Sequence, residues 1–204
     1  GDEWEEYTWG KVGDMARRLA TGLKSLGLRD GAHIGIYSKN CREWIISDLA
    51  IVMAGYVSVP FFPSLNGKEL SYIMEYGDVD ALFLGKIETW EDIKNDLPND
   101  MPMITFPHYK GCSEVTRGFQ WHDFINSYEP IQNPNKPKLS DLWTIIFTSG
   151  TTGNAKGVML TYQAIDGIKV VLDDPNNPLG IKHDGNNDFC LLYTSPSPRD
   201  WTIS

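Results

Sequence analysis

The 204-residue chain is poor in cysteine, in histidine and in long apolar runs. Its three cysteines, Cys41, Cys112 and Cys190, are too few and too scattered for a disulfide framework or a zinc site. They read as reduced thiols in a reducing compartment. The four histidines, His33, His108, His122 and His183, show no partner pattern and read as structural or exposed. No carboxylate pair stands out as a metal site, and no secretory signal is visible. No window approaches the roughly 18 continuous apolar residues of a membrane span. The most apolar stretch, residues 45–59, is broken by Ser47, Asp48 and Gly55. Cations are also scarce: 18 Lys and Arg face 27 Asp and Glu, for a net charge of −9. An acidic surface argues against binding a nucleic-acid backbone. A nucleotide stays open, since one cation and a few backbone N–H groups suffice for it.

Apolar residues make up 41% of the chain and charged residues 22%, close to globular averages. That excludes a disordered tail, a collagen and a coiled coil. The length allows one to two domains.

Helical and strand-like segments alternate. Thr8 can cap a helix over residues 10–26, where Val12, Met15, Ala16, Leu19, Ala20, Leu23 and Leu26 repeat at 3-and-4 spacing. Gly27 would end it. Residues 4–9 read as a strand. Strands are predicted over residues 32–37, 56–62, 81–84, 103–106, 142–147 and 158–160. Helices are predicted over 41–54, capped by Asn40 and stopped by Gly55, and over 67–76, capped by Asn66 with Glu69 at N3. Further helices fall at 88–97, 119–127 and 162–172, the last capped by Thr161. Residues 129–138, with Pro130, Pro134 and Pro137, read as a linker. Short apolar strands alternating with helices define an α/β class, with a mostly parallel sheet flanked by helices.

Both ends read as cut. Residue 1 is glycine, and after Phe189 the chain runs into Thr194-Ser-Pro-Ser-Pro-Arg-Asp200. Prolines at this spacing forbid a helix and interrupt strand pairing. The segment resembles translated sequencing adapter. Residues 190–204 are therefore expected to be non-native and are set apart from residues 1–189.

One stretch carries chemistry: Thr148-Ser-Gly-Thr-Thr-Gly-Asn-Ala-Lys-Gly157. Gly150, Gly153 and Gly157 open backbone conformations closed to other residues. Thr148, Ser149, Thr151 and Thr152 supply hydroxyls. Exposed backbone N–H groups in such a turn form an anion-binding nest, and Lys156 adds a mobile point charge. These groups suit the β- and γ-phosphates of a nucleoside triphosphate, and a pyrophosphate whose charge grows as it leaves. A plain flexible Ser/Thr/Gly loop is the bland alternative. The rival G-x-x-x-x-G-K-[ST] loop fails on spacing, because Gly157 follows the lysine and the next element is β-like. Lys156 is the candidate catalytic residue. Thr148, Ser149, Gly150, Thr151, Thr152, Gly153 and Lys156 are the candidate nucleotide-binding residues. Trp44 and Trp143 read as packing residues.

This stretch resembles the signature loop of the adenylate-forming enzymes, among them acyl-CoA synthetases, luciferases and peptide-synthetase adenylation domains. Ala155 stands where that loop usually has proline, and Tyr162 where a histidine is common. The resemblance covers about residues 4–189. Asn40-Cys-Arg-Glu-Trp44 and Ala54-Gly-Tyr-Val-Ser-Val-Pro60 are most similar to the long-chain acyl-CoA synthetase branch, as is Ile73 followed by Ala81-Leu-Phe83. The resemblance implies part of the large amino-terminal AMP-binding domain. It implies ATP and Mg2+ as cofactors, and coenzyme A and a fatty acid as substrates. It also implies a cytoplasmic or membrane-associated enzyme with scope for peripheral membrane contact. The groups that would hold the acyl chain, the adenine and the metal lie beyond residue 189 in this family, so the chain by itself is expected to be inactive. A truncated, non-catalytic nucleotide-binding or interaction protein is the alternative.

Overall fold

The computed structural model describes residues 6–148 and 155–166. The chain divides into a unit over Gly1–Tyr162 and another over Gln163–Ser204. In the second only the helical turn at residues 163–166 is described. Residues 1–5, 149–154 and 167–204 lie outside the description. They include the remainder of the helix expected after Thr161, Cys190, His183 and the tail set apart at residue 190.

The first unit is a seven-stranded sheet with helices on both faces. In chain order its elements are α1 (Trp9–Ser25), β1 (His33–Tyr37), α2 (Arg42–Ala54), β2 (Val57–Phe61), α3 (Gly67–Tyr76), β3 (Val79–Leu84), α4 (Trp90–Ile93), β4 (Met103–Thr105), β5 (Phe119–Gln120), α5 (Trp121–Asn126), β6 (Leu142–Thr148) and β7 (Lys156–Thr161). The strand order is β5-β4-β3-β1-β2-β6-β7. Every pairing is parallel except β6 with β7. The α/β class with a mostly parallel sheet is thus the observed one.

The strands read as apolar on both faces because both faces are covered. Ile34 and Ile36 of β1 and Ala81 and Phe83 of β3 join Leu19 and Leu23 of α1, Ile46 and Ile51 of α2, and Trp121 of α5 in one core. The alternate residues Tyr37, Val59, Leu82 and Phe147 form a second core with Leu70 and Met74 of α3 and Trp90 of α4. Period-2 alternation sends successive side chains to opposite cores.

Local signals set the helix ends. Thr8 Oγ1 accepts the Lys11 N–H at 3.2 Å, and Gly27 adopts φ 68° just past α1. Asn66 and Glu69 form a reciprocal capping box at α3, and Gly55 ends α2 at φ 82°.

Five expectations need correction. Residues 6–8 form no strand, and Trp9 opens α1 with its side chain 71% exposed. Cys41, not Asn40, sits at the N-cap of α2. The helix expected over residues 88–97 shrinks to Trp90–Ile93, and turns carry the chain to the buried Leu97, which Pro98 biases away from helix. The helix expected over residues 119–127 begins only at Trp121, since Phe119 and Gln120 pair with β4 as an edge strand. The proline-rich segment 129–138 is no linker. The Ile131 N–H donates to Arg17 O at 3.2 Å and the Asn135 N–H to Met53 O at 2.8 Å, while Thr21 Oγ1 donates to Glu129 O at 2.7 Å. The segment is a strap across α1 and α2 that carries the chain to β6. Among the described residues no helix is long and apolar enough to cross a membrane.

Candidate functional site

β6 leaves the second core and runs parallel to β2, with Thr144 opposite Ser58. Thr144 Oγ1 donates to Ser58 O at 2.8 Å inside the sheet. The direction of β6 therefore delivers Thr148 to the carboxyl edge of the parallel strands, where open α/β sheets bind ligands. The chain then turns back as β7, which starts two residues earlier and ends one residue later than the expected 158–160. Only seven residues separate Thr148 from Lys156, and a parallel crossover needs a dozen or more. The pair is therefore an antiparallel hairpin, with Thr148 opposite Lys156 and Phe147 opposite Gly157.

This register brings two of the candidate residues together. Thr148 and Lys156 face each other across the mouth of the hairpin and both are exposed. Thr148 Oγ1 donates to Lys156 O at 3.5 Å. No ion pair engages Lys156 among the described residues. Ser149, Gly150, Thr151, Thr152 and Gly153 lie outside the described residues. An exposed cation and a hydroxyl at a sheet edge fit a phosphate group, which needs positive charge and donors and no acid beside them. Among the described residues no cluster of His, Cys, Asp or Glu could hold a metal ion.

Beside the hairpin lies a cavity of about 280 Å³. Pro60, Phe61, Leu65, Glu69 and Tyr72 wall it on the β2–α3 side, and Thr148 on the other. Glu69 is already engaged, because its carboxylate accepts the Asn66 N–H at 3.1 Å. The sequence reading missed this wall. Its signal was Pro60-Phe-Phe-Pro63, a rigid apolar turn directly after a strand, which strand periodicity alone passes over.

The remaining ionisable groups hold the fold. Tyr162, which replaces the family's frequent histidine, packs its ring against Trp143 with centroids 6.3 Å apart. Burial, then the nearby Asp48 and Asp141 charges, push its pKa up to about 12. At the start of α2, Glu43 is 1% exposed. It accepts from Arg42 Nε at 2.8 Å and from the Tyr109 hydroxyl. Burial and that bond to Glu43 raise the Tyr109 phenol well above its ordinary value. Burial likewise raises the Cys41 thiol, which makes it a poor nucleophile. His33 Nδ1 is bonded to Gly77 O at 2.7 Å, as a structural histidine should be.

A doubly covered, mostly parallel sheet with Thr148 and Lys156 at its carboxyl edge defines an α/β protein whose fold class binds ligands at that edge. The family of AMP-binding enzymes matches residues 1–182, and the chain belongs to that family. It is 31% identical over 194 residues to long chain acyl-CoA synthetase 4 of Arabidopsis thaliana, covering 88% of this chain and 29% of that protein. It is 28% identical to long chain acyl-CoA synthetase 1 of the same plant, covering 83% of this chain and 27% of the relative. The chain therefore spans under a third of the length of these curated relatives. Among solved structures, the acyl-CoA synthetase of Brucella canis superposes with a TM-score of 0.72 at 19% identity, covering 88% of this chain and 32% of that one. An ATP-bound MatB from Rhodopseudomonas palustris superposes with a TM-score of 0.68 at 22% identity, covering 82% of this chain and 32% of that one. At these identities the likeness is one of fold.

Proposed function

We propose that this chain supplies the phosphate-gripping part of an enzyme that activates a fatty acid with ATP and passes it to coenzyme A. The observation that carries the reading is the hairpin mouth. Thr148 and Lys156 stand exposed and opposed at the two ends of the Ser/Thr/Gly turn, at the carboxyl edge of the sheet. The fatty-acid substrate is taken from the names of the curated relatives, long chain acyl-CoA synthetases.

In the reaction, a carboxylate oxygen attacks the α-phosphate of ATP, and the bond to the β-phosphate breaks. Acyl-adenylate and pyrophosphate result. The thiol of coenzyme A then displaces AMP to give the thioester. Lys156, Thr148 and the turn residues Ser149, Gly150, Thr151, Thr152 and Gly153 would hold the β- and γ-phosphates. Their donors stabilise charge that grows on the departing pyrophosphate, so the interaction strengthens in the transition state. Magnesium, carried on the phosphates, offsets part of that charge.

In-line attack requires the carboxylate at roughly 3–3.5 Å, and on this reading the groups that hold it lie outside the chain, which is inactive by itself. Cytoplasmic placement with scope for peripheral membrane contact belongs to the same reading. The test is equilibrium dialysis of the 204-residue chain with ATP and magnesium, with pyrophosphate as competitor, beside an assay for thioester formed from coenzyme A and long-chain fatty acids. Binding displaced by pyrophosphate, without thioester, is expected. ATP binding that pyrophosphate leaves in place removes the phosphate grip. Sustained thioester formation removes the claim that the chain is insufficient alone.

A further inference from the structure

The residue just before Thr148 is Phe147, 5% exposed, and the residue just after Lys156 is Gly157. The two are direct cross-strand partners. A methyl group built on Gly157 would stand 3.1 Å from both Phe147 Cε1 and Ile145 Cγ2. One built on Gly77, at the end of α3, would stand 3.0 Å from Phe147 Cε2 and Cζ and from the Ile73 carbonyl oxygen. The Phe147 ring thus occupies the side-chain space of two glycines on two different elements. The Phe61 ring stacks beside it at 6.4 Å and 13°, and the Tyr76 ring meets it edge-on at 6.0 Å.

Neither glycine is there for its backbone. Gly77 has φ −83°, and Gly157 is not among the glycines with positive φ. What each supplies is room. Contacts at 3.0–3.1 Å are tighter than ordinary van der Waals spacing, so a methyl added at Gly157 presses on the Phe147 ring and on Ile145, both of β6. A displaced ring moves its own strand, and Thr148 with it.

Resting on the phosphate reading of the hairpin, we propose that Phe147 is a positioning residue, whose ring, locked between Gly77 and Gly157, sets the register that brings Lys156 opposite Thr148. Register matters because a slip of one residue turns every side chain to the other face. Lys156 would then point away from Thr148 and from the turn. Phe147 touches no phosphate. It acts by fixing where the two flanking residues stand.

The alternative is that Gly157 serves only the looseness of the turn, independently of Phe147. The 204-residue chain distinguishes the two through Gly157→Ala, Phe147→Leu and the double variant. Three quantities are read: affinity for ATP with magnesium, the amide shifts of Thr148 and Lys156, and the denaturation midpoint. Gly157→Ala should weaken ATP binding about tenfold, and adding Phe147→Leu should restore it to within about threefold. The midpoint of the double variant should stay below that of the parent, because the phenyl packing is lost while the position of Lys156 recovers. Additive losses in the double variant overturn the proposal. If Gly157→Ala does not fold, Phe147→Leu alone is read, and Thr148 and Lys156 amide shifts unchanged from the parent overturn the proposal. If the parent chain binds no ATP, the phosphate reading fails by itself. The amide shifts of Thr148 and Lys156 then decide, restoration in the double variant upholding the register role and additivity refuting it.

Discussion

β1 and β7 belong to one sheet and live under opposite conditions. β1 is a five-residue strand buried from Ile34 to Tyr37, with strands on both sides and helices over both faces. β7 is an edge strand paired only to β6, with Val158 45% exposed and Met159 65% exposed. The parallel centre is held by the two cores. The hairpin carries the exposed Lys156 and Thr148 and contributes little to either core beyond Ile145 and Phe147. Stability and chemistry are thus divided between the centre of the sheet and one edge, joined through β2 and β6, the latter buried along most of its length and exposed at Thr148.

The contrast is sharpest in truncations. Phe83 is fully buried and packs against Phe106 and Trp121 at 6.0 and 6.4 Å. Phe83→Ala should cost about 3–5 kcal/mol. Met159→Ala on the hairpin should stay within about 0.5 kcal/mol. Urea unfolding of the two variants makes the comparison, and similar losses would show that the hairpin belongs to the cooperative core.

A smaller effect is expected at the start of α2. Tyr109→Phe removes a donor from the buried Glu43 carboxylate and leaves the bond from Arg42 Nε in place. The cost of that unmet acceptor should be about 1–3 kcal/mol. ATP affinity should not change, since the pair lies on the α2 end and not on the hairpin. A parallel loss of affinity would join the two regions that the fold keeps apart.

The smallest effect concerns pH. The Tyr162 phenol titrates near 10.0 when free and near 12 in the folded chain. Below about pH 10 it is neutral in both states. Between these values the unfolded chain loses the proton while the folded chain keeps it, so stability falls as pH rises across the window. Tyr162→Phe should flatten that part of the alkaline unfolding curve. A slope identical to the parent's would mean that other groups account for it.

Much of the centre could be read in the sequence, because its signals are local. The Asn66–Glu69 box, the stops at Gly27 and Gly55 and the two-faced apolar strands each depend on a few adjacent residues. What escaped the sequence depends on distant partners. The segment 129–138 has linker composition, yet Ile131 and Asn135 find acceptors on Arg17 and Met53, more than eighty residues away. α4 stops at Ile93, and the buried Leu97 is reached through turns that apolar spacing alone does not reveal. The site divides the same way. Thr148 and Lys156 were named from their chemistry, and the shortness of the turn between them already required the antiparallel return. The cavity wall from Pro60 to Tyr72 and the glycine cradle of Phe147 arise only when α3 folds over β2 and β6.

The most direct measurement is Lys156→Ala in the 204-residue chain, read at once for ATP affinity and for denaturation midpoint. Lys156 is exposed and without an ion pair among the described residues. Its loss should therefore leave stability within about 0.5 kcal/mol. Affinity for ATP with magnesium should fall about tenfold, a change of roughly 1.4 kcal/mol. Unchanged affinity in a normally folded variant would contradict the assignment of the hairpin as the phosphate grip.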